Sequence, residues 1–183
     1  MKRNIFALFL LLATGCSKDI NAYRNDPRVY FNDLTSAIIP QQVVSRTFSF
    51  ATVDAAVMAD TQYIPVKIEG LPADKDRTFM AAAMTDSSTA QAGRDYQLLQ
   101  GVIPANAFTG QLPVVLFRTA HLKQVTLVLR LYIADSADFK GGVAENNDYT
   151  LYFNDDLIKP NNWDTRPGLI NYFGDYSRVK YQF

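Results

Sequence analysis

The sequence predicts an all-β protein whose main domain is an antiparallel β-sandwich. Three observations support this fold class. Apolar residues alternate with polar ones over short stretches, which is the period of a strand with one buried face. Turn-forming residues such as those at positions 70–74 separate the stretches. No long amphipathic helix stands between them, as a parallel α/β sheet would require, so antiparallel strands packed as a sandwich fit the pattern best.

The strongest predicted strand spans residues 125–133. Its apolar residues recur at every second position: Val125, Leu127, Leu129, Leu131 and Ile133. Burying such a face stabilises the fold by roughly 1.5–3 kcal/mol for each fully enclosed residue. The other predicted strands begin near the mature start and continue to residue 153, at positions 28–31, 43–50, 64–68, 79–83, 102–104, 112–117 and 149–153.

Two of these strands carry predictions about individual residues. In the strand at 43–50, Phe48 and Phe50 are predicted to share the buried face. In the strand at 64–68, Pro65 lacks the N–H group that a ladder hydrogen bond needs. The sequence therefore predicts that this strand lies near an edge of the sheet.

The first residues of the chain look like a bacterial export signal. Lys2 and Arg3 precede an unbroken apolar run of nine residues at positions 5–13. A membrane-spanning helix needs about twenty residues, whereas a secretory signal core has roughly seven to fifteen. We therefore expect residues 1–15 to be a signal peptide.

Cys16 is the only cysteine in the chain, and it directly follows this signal. The preceding residues 12–15 resemble a lipobox, although Ala13 stands where leucine is commonest. We expect Cys16 to carry a lipid and to become the mature N-terminus, because one free thiol there is sufficient for acyl attachment to a membrane. The alternative is a buried thiol, the usual state of an unpaired cysteine. Residues 16–26 are then a tether, and residues 27–155 form the main domain.

Charge and composition exclude several functional classes. The chain has 18 basic and 18 acidic residues, and loss of Lys2 and Arg3 leaves 16 against 18. Nucleic-acid binding needs a basic footprint, and the sequence has none. With Cys16 acylated, no disulfide can form, so stability must come from packing. No second long apolar run is present, so membrane contact is expected only through the lipid anchor.

Residues 156–183 differ from the preceding strands in their residue pattern, and they are predicted to form a C-terminal extension. A helix capped by Asp175 is predicted there, and the chain stops at Phe183 on its apolar face, so we expect the extension to be incomplete. Aromatic and polar residues cluster in it, as in sites for polar ligands that have apolar faces. Ordinary packing against the main domain is the alternative. The candidate ligand-binding residues are Asn162, Trp163, Asp164, Tyr172, Phe173 and Tyr176.

Catalysis and metal binding find little support in the sequence. His121 is the only histidine, and its place beside a predicted strand start favours a surface turn residue over a catalytic base. A zinc site needs three or four cysteine, histidine or carboxylate ligands. The acidic clusters at 145–148 and 154–156 lack EF-hand spacing, and no phosphate-binding glycine motif is present. We predict no catalytic residue, no metal and no cofactor.

Four stretches, taken together, resemble a family of Bacteroidetes lipoproteins known as domain-of-unknown-function family 4843. They are Val-Tyr-Phe at 29–31, Ile-Pro-Val-Lys-Ile-Glu-Gly at 64–70, Gly-Arg-Asp-Tyr at 93–96, and the run from Tyr172 to Phe183. Residues 93–131 also resemble Calx-beta repeats, which are immunoglobulin-like (Ig-like) sandwiches, without clear matches to their calcium-binding acids. The resemblance implies an outer-membrane lipoprotein with an Ig-like domain, displayed on the periplasmic face or the cell surface, and it implies no activity.

Three functional hypotheses follow. The first is a non-catalytic, membrane-anchored binding or scaffold module that assists glycan capture, with a polysaccharide as its partner. The second is an envelope structural or adhesion subunit that binds a protein partner. The third is a hydrolase that uses two carboxylates, a pair that sequence cannot locate among 18 acidic residues. The first hypothesis is preferred, and it makes the protein a non-enzyme.

Overall fold

The computed structural model describes residues 26–35, 38–142, 147–157, 164–165, 170–172, 174–175 and 177. Strands dominate these residues, so the all-β prediction is confirmed. None of the helical segments in the described part of the chain is long and apolar enough to cross a membrane. The strands are β1 (Arg28–Phe31), β2 (Asp33–Leu34), β3 (Gln42–Val43), β4 (Ser45–Ser49), β5 (Ala59–Glu69), β6 (Arg77–Ala83), β7 (Tyr96–Leu98), β8 (Gly101–Ile103), β9 (Thr109–Phe117), β10 (Leu127–Ala134), β11 (Lys140–Gly141) and β12 (Asp148–Asn154). Short 3-10 helices lie at Phe50–Thr52, Thr85–Ser87 and Ala120–Lys123.

Ten of the strands form one mixed sheet. Its order is β11-β1-β5-β9-β8-β6-β10-β12-β4, and β7 is added beside β9. The central neighbours are antiparallel, as the short connections predict. The two outermost pairs are parallel, because β11 runs with β1 and β4 runs with β12. Strands β2 and β3 form a separate antiparallel hairpin.

The sheet curls until strands far apart in its order meet. Gly141 in β11 lies so close to β10 that an added Cβ would be 2.1 Å from the carbonyl oxygen of Ile133. A single hydrophobic core fills the inside of the curl. Alternate residues of the central strands supply it, among them Ile64, Val66, Leu112, Val114, Leu129 and Leu131. Division of this sheet into the two layers of an Ig-like sandwich stays a prediction.

Pro65 was predicted to place its strand near an edge of the sheet. Strand β5 is third from the β11 end of the sheet, so it lies near that edge, but β1 and β9 flank it on both sides. The proline is tolerated because β1 has ended at this level: β1 pairs with β5 only as far as Phe31 opposite Val66. Just beyond, the N–H of Asn32 donates to the carbonyl of Pro65 at 2.9 Å. An N–H at position 65 would point to the same side as this carbonyl, so the proline removes one hydrogen bond, to the residue just past the end of β1.

Two other predicted strands differ in their bounds. The strand predicted at 125–133 begins two residues later, and Val125 is 46% exposed instead of buried. The strand predicted at 43–50 is divided into β3 and β4, which pair with different strands. Phe50 is nevertheless fully buried, and its ring meets that of Phe48 edge-on with centroids 4.9 Å apart. The two rings do face the core together as predicted, but the strand ends at Ser49 and Phe50 begins a 3-10 helix.

A buried polar cluster fastens the β2–β3 hairpin to the sheet. Asp33 is 2% exposed and accepts hydrogen bonds from the hydroxyl of Tyr149 and from Nη2 of Arg46, each at 2.5 Å. Burial, and then the hydrogen bond to Asp33, raise the pKa of Tyr149 far above its ordinary value. Tyr149 therefore stays a neutral donor at physiological pH. The cluster links β2 to β12 and β4.

The Gly-Arg-Asp-Tyr stretch at 93–96 is a tight structural turn. Gly93 has a φ of 78°, which glycine adopts without steric cost, and its N–H donates to the carbonyl of Tyr96 at 2.9 Å. Asp95 is fully buried and accepts hydrogen bonds from the N–H of Gln91 and from Nη2 of Arg94, each at 2.8 Å. Burial alone would raise the pKa of Asp95, but these bonds outweigh it and lower the pKa. The turn fixes the start of β7.

Candidate functional site

A patch of uncharged side chains lies on the outer face of β5 and β9, and it ends at the exposed Lys67, which pairs with Thr109. Buried isoleucine, leucine and valine residues alternate along both strands, so the residues between them face solvent. The register places Tyr63 opposite Pro113 and Pro65 opposite Gln111. Strand β8 adds Val102 on the far side of Gln111. Three neighbouring strands thus present one continuous surface.

These side chains surround a shallow, open groove with a volume of about 560 Å³. We call it the β9 groove, because the middle strand β9 forms its floor and the residues of β5 and β8 stand on either side. Tyr63 is 54% exposed and Val102 is 38% exposed, so both can contact a ligand. The groove is lined by Tyr63, Pro65, Gln100, Val102, Pro104, Thr109, Gly110, Gln111 and Pro113.

The lining chemistry favours a neutral ligand. Among the described residues, no acidic, basic, histidine or cysteine side chain lines the β9 groove. The amides of Gln100 and Gln111 and the hydroxyl of Thr109 offer both donors and acceptors. The ring of Tyr63 and the prolines offer apolar faces. Such a surface can bind a ligand that has hydroxyl or amide groups together with a flat apolar side. Its hydroxyl groups, on Tyr63 and Thr109, have no histidine or carboxylate beside them among the described lining residues to activate them.

Backbone constraints give the groove its shape. Pro65 and Pro113 lie on adjacent strands in the groove, and each proline ring fixes its own φ. At Gly110 an added Cβ would lie 2.1 Å from the carbonyl oxygen of Val102, so only glycine lets β8 approach β9 this closely. The floor and one side of the groove are therefore held by residues that have little conformational freedom. Such restraint would lower the entropic cost of binding a ligand there.

A smaller concavity of about 300 Å³ lies beyond the end of β9, and its charged residues are engaged within the protein. Arg118 donates from Nη2 and Nε to the two carboxylate oxygens of Asp155, at 2.7 and 2.9 Å. It also donates from Nη1 to the carbonyl of Asp54 at 3.0 Å. This bidentate pair clamps the end of β9 to the chain after β12 and to the loop before β5. We assign it a structural role.

His121 lies in the 3-10 helix Ala120–Lys123, outside the β9 groove. Its side chain is 36% exposed, and Nε2 lies 3.3 Å from Oδ1 of the buried Asp95. Nε2 makes no hydrogen bond to the described residues. The contact brings the 93–96 turn against the 3-10 helix. Across the described ranges, no three histidine, cysteine, aspartate or glutamate side chains are grouped to hold a metal ion.

Most of the site residues predicted from the sequence lie outside the described residues. Tyr172 is described and is 86% exposed, and Asp164 is also exposed. The aromatic cluster of the C-terminal extension and the lipidation site therefore stay predictions. Those outside the described residues are Cys16, Asn162, Trp163, Phe173 and Tyr176.

Sequence reasoning missed the β9 groove, although it left one detectable signal. The solvent-facing positions of a strand usually carry charged or hydroxyl side chains. In β9 those positions are Gln111, Pro113 and Val115, and in β5 they include Tyr63 and Pro65. Prolines and an aromatic residue at outward positions of two long strands indicate a surface that is not adapted simply to water. What sequence cannot show is that these strands are neighbours.

The comparisons with known proteins give a family. No curated protein sequence matches the chain. Among solved structures, a candidate carbohydrate binding protein from Bacteroides ovatus has a TM-score of 0.46 and 12% identity, over 71% of this chain and 37% of that protein. A protein of unknown function from the same organism has a TM-score of 0.45 and 13% identity, over 68% of this chain and 43% of that protein.

The chain thus spans less than half the length of either structure, and TM-scores at this level establish neither a shared fold nor a shared ligand. The family assignment comes from sequence. A family model matches residues 23–183, which include the whole described domain. The chain therefore belongs to the family described as a domain of unknown function (DUF4843).

Proposed function

We propose that this protein is a non-catalytic binding module that holds a neutral glycan in the β9 groove. The observation that carries the proposal is the combination of an exposed tyrosine ring, two glutamine amides and no charged side chain in one open surface. A sugar presents hydroxyl groups at its edges and C–H groups on its faces. Amides satisfy the hydroxyls in both directions, and an aromatic ring covers the apolar face.

The absence of carboxylates from the groove lining supports binding without reaction. Glycoside hydrolysis uses a pair of carboxyl groups roughly 5–10 Å apart across the scissile bond. No carboxylate lines the β9 groove among the described residues. Uncharged lining also favours neutral polymers over uronic or sulfated ones, because an anionic ligand would lose hydration along the floor and meet a cation only at Lys67, beside Thr109.

We further propose that Cys16 anchors this module to the outer membrane through a lipid. The support is the order of cationic start, short apolar run and single cysteine at the N-terminus. A Cys16→Ser variant should leave the membrane fraction when cells are separated into soluble and membrane pools. Full retention of that variant in membranes would contradict the proposed lipid anchor. It would not bear on the proposal that the β9 groove binds a glycan.

The binding proposal is tested by electrophoresis through gels that contain neutral polysaccharides, such as glucans, mannans, xylans and galactans. A polymer that retards the protein should do so about 30-fold less strongly for Tyr63→Ala, since an aromatic anchor contributes about 2 kcal/mol. The matched control is Tyr152→Ala, which removes a tyrosine that is 38% exposed on β12. Failure of every neutral polymer to bind, or binding unchanged in Tyr63→Ala, would overturn the proposal.

The same gels compare the groove with the site predicted in the C-terminal extension. If Trp163→Ala abolishes retardation while Tyr63→Ala does not, the ligand binds the extension instead of the groove. We expect the opposite pattern, because the groove residues already form a preorganised surface within the described domain.

A protein partner is the second candidate function, favoured by the exposed apolar residues of the β2–β3 hairpin. Ile39 is 73% exposed and Val44 is 55% exposed. Exposed apolar groups in proximity are common at protein interfaces. Crosslinking of the anchored protein in cells, followed by mass spectrometry, would give one stoichiometric protein partner if this function holds. Ile39→Ser should then weaken the crosslink, while glycan retardation stays unchanged.

A further inference from the structure

The β9 groove has a direction. Its lining residues form rows across three strands: Tyr63 and Pro113 form one row, and Pro65, Gln111 and Val102 form the next. Thr109 continues the floor at the far end of β9. Residues two apart in a strand are separated by about 6.7 Å, so the floor from position 113 to position 109 is about 13 Å long.

The sides of the groove follow the same axis. The residues of β5 flank the floor on one side, and Gln100, Val102 and Pro104 flank it on the other. A long ligand therefore fits best when it runs parallel to β9. Along that line the floor changes from apolar Pro113 through the Gln111 amide to the Thr109 hydroxyl.

The described lining residues form no wall across either end of the groove, and the exposed Lys67 lies beside its Thr109 end. Every lining residue lies in β5, β8 or β9, or directly beside β8. A site that recognises the end of a sugar chain needs polar groups that enclose the terminal residue and pair with its extra hydroxyl. Such discrimination depends on buried donors and acceptors that would be left unpaired by the wrong ligand. No side chain in the lining is placed across the floor to serve that purpose.

We infer that the β9 groove binds an internal segment of a neutral glycan chain, lying along β9, and not the end of the chain. This inference rests on the proposed function. The chain enters and leaves at the two open ends of the groove. Tyr63 covers the apolar face of one sugar residue, and the amides of Gln100 and Gln111 bond hydroxyls of the neighbouring part of the chain.

The test uses oligosaccharides cut from whichever neutral polysaccharide binds in the gels, in a series of increasing length. Each length is prepared with its natural reducing end and with that end reduced to the alditol by borohydride. Calorimetry with the protein should show affinity rising at least about tenfold from monosaccharide to longer chains and then levelling off. Reduction of the end should change the affinity of the long chains less than about twofold.

Two results would overturn the inference while leaving glycan binding intact. One is a monosaccharide that binds as tightly as the longest chain. The other is a loss of about tenfold or more when the end of a long chain is reduced. A third result, no Tyr63-dependent binding of any neutral glycan, would remove the proposed function and this inference together. Thr109→Val provides a positional check, since it should weaken long chains and leave the shortest bound oligosaccharide unchanged.

Discussion

The two halves of the sheet differ in the chemistry of their solvent-facing side chains. On β5 and β9 the side chains that line the groove are uncharged, and the charged outward residues Lys67 and Glu69 of β5 lie at and beyond its Thr109 end. On β10 and β12, Arg130 and Asp148 form an ion pair, with Nε donating to Oδ2 at 2.7 Å, and their side chains are 44% and 38% exposed. Both faces cover the same hydrophobic core.

A face that is only solvated and a face that binds a ligand require different side chains. A surface that only needs to stay soluble carries mixed charges, as β10 and β12 do. The lining of the β9 groove has no such charges and instead exposes a tyrosine, prolines and glutamine amides. The binding proposal rests on this contrast between an uncharged concave patch and a charged face on the same sheet.

The largest expected effect comes from Asp95→Asn, at the turn that leads into β7 and then to Gln100. We expect a loss of about 2–3 kcal/mol in the free energy of unfolding at pH 7, because the N–H of Gln91 loses the charge of its fully buried acceptor. Arg94 is half exposed, so its share of the loss is small. Chemical denaturation monitored by fluorescence measures the change.

The same variant carries a pH signature. The pKa of Asp95 in the folded state is lowered, so its contribution is complete above the ordinary aspartate pKa of about 3.9 and is lost as pH falls through the lowered value. The difference between wild type and Asp95→Asn should therefore shrink as pH falls below about 4. A difference that is constant from pH 7 to pH 3 would contradict this role.

Next in size is Gly110→Ala, which places a methyl group against the carbonyl of Val102. Because β8 must move away from β9, we expect about 2 kcal/mol of destabilisation together with weaker glycan binding. Gly93→Asn is the control, since no atom lies within 4 Å of its Cβ position and asparagine tolerates the positive φ. If Gly110→Ala binds glycan normally, the spacing of β8 and β9 does not shape the site.

Individual residues show which features of the fold could be predicted from the sequence. The alternation of Ile64, Val66 and Ile68 predicted a buried face correctly, because period two is a local property of the chain. Pro65 did not reveal that β5 has a strand on each side, because a missing N–H removes one hydrogen bond and not a neighbouring strand. The length of the neighbouring strand is a property of the whole fold.

The β9 groove could not be predicted from the sequence, for the same reason. Tyr63 and Pro113 are separated by 50 residues in sequence and meet only through the pairing of β5 with β9. Sequence analysis weighted the aromatic cluster around Trp163 because its members are close in sequence. Glutamine and proline have no distinctive spacing when they are scattered over three strands. Strand order, which supplies the proximity, follows from long-range packing and cannot be read from local patterns.

A smaller effect is expected from Gln111→Leu in the groove. The change keeps the side-chain size and removes one donor and one acceptor, so neutral glycan binding should weaken by about tenfold, or about 1.4 kcal/mol. Gln97→Leu on β7 is the matched control, because Gln97 is exposed and does not line the groove. Equal losses for the two variants would show that the position of the amide is unimportant.

The smallest effect is expected on the charged face. Arg130→Gln with Asp148→Asn removes an exposed ion pair, so the free energy of unfolding should change by less than about 1 kcal/mol. Glycan binding should be unchanged, because the pair lies outside the groove. A clear loss of binding in this double variant would mean that both faces serve the ligand and would end the distinction drawn between them.

The most direct measurement is a crystal structure of the protein with the longest neutral oligosaccharide that binds it. We expect electron density for the sugar chain along β9, with one sugar ring against Tyr63 and sugar hydroxyl groups within hydrogen-bond distance of Gln100 and Gln111. Density on the C-terminal extension around Trp163, or on β10 and β12, with the β9 groove empty would contradict this expectation.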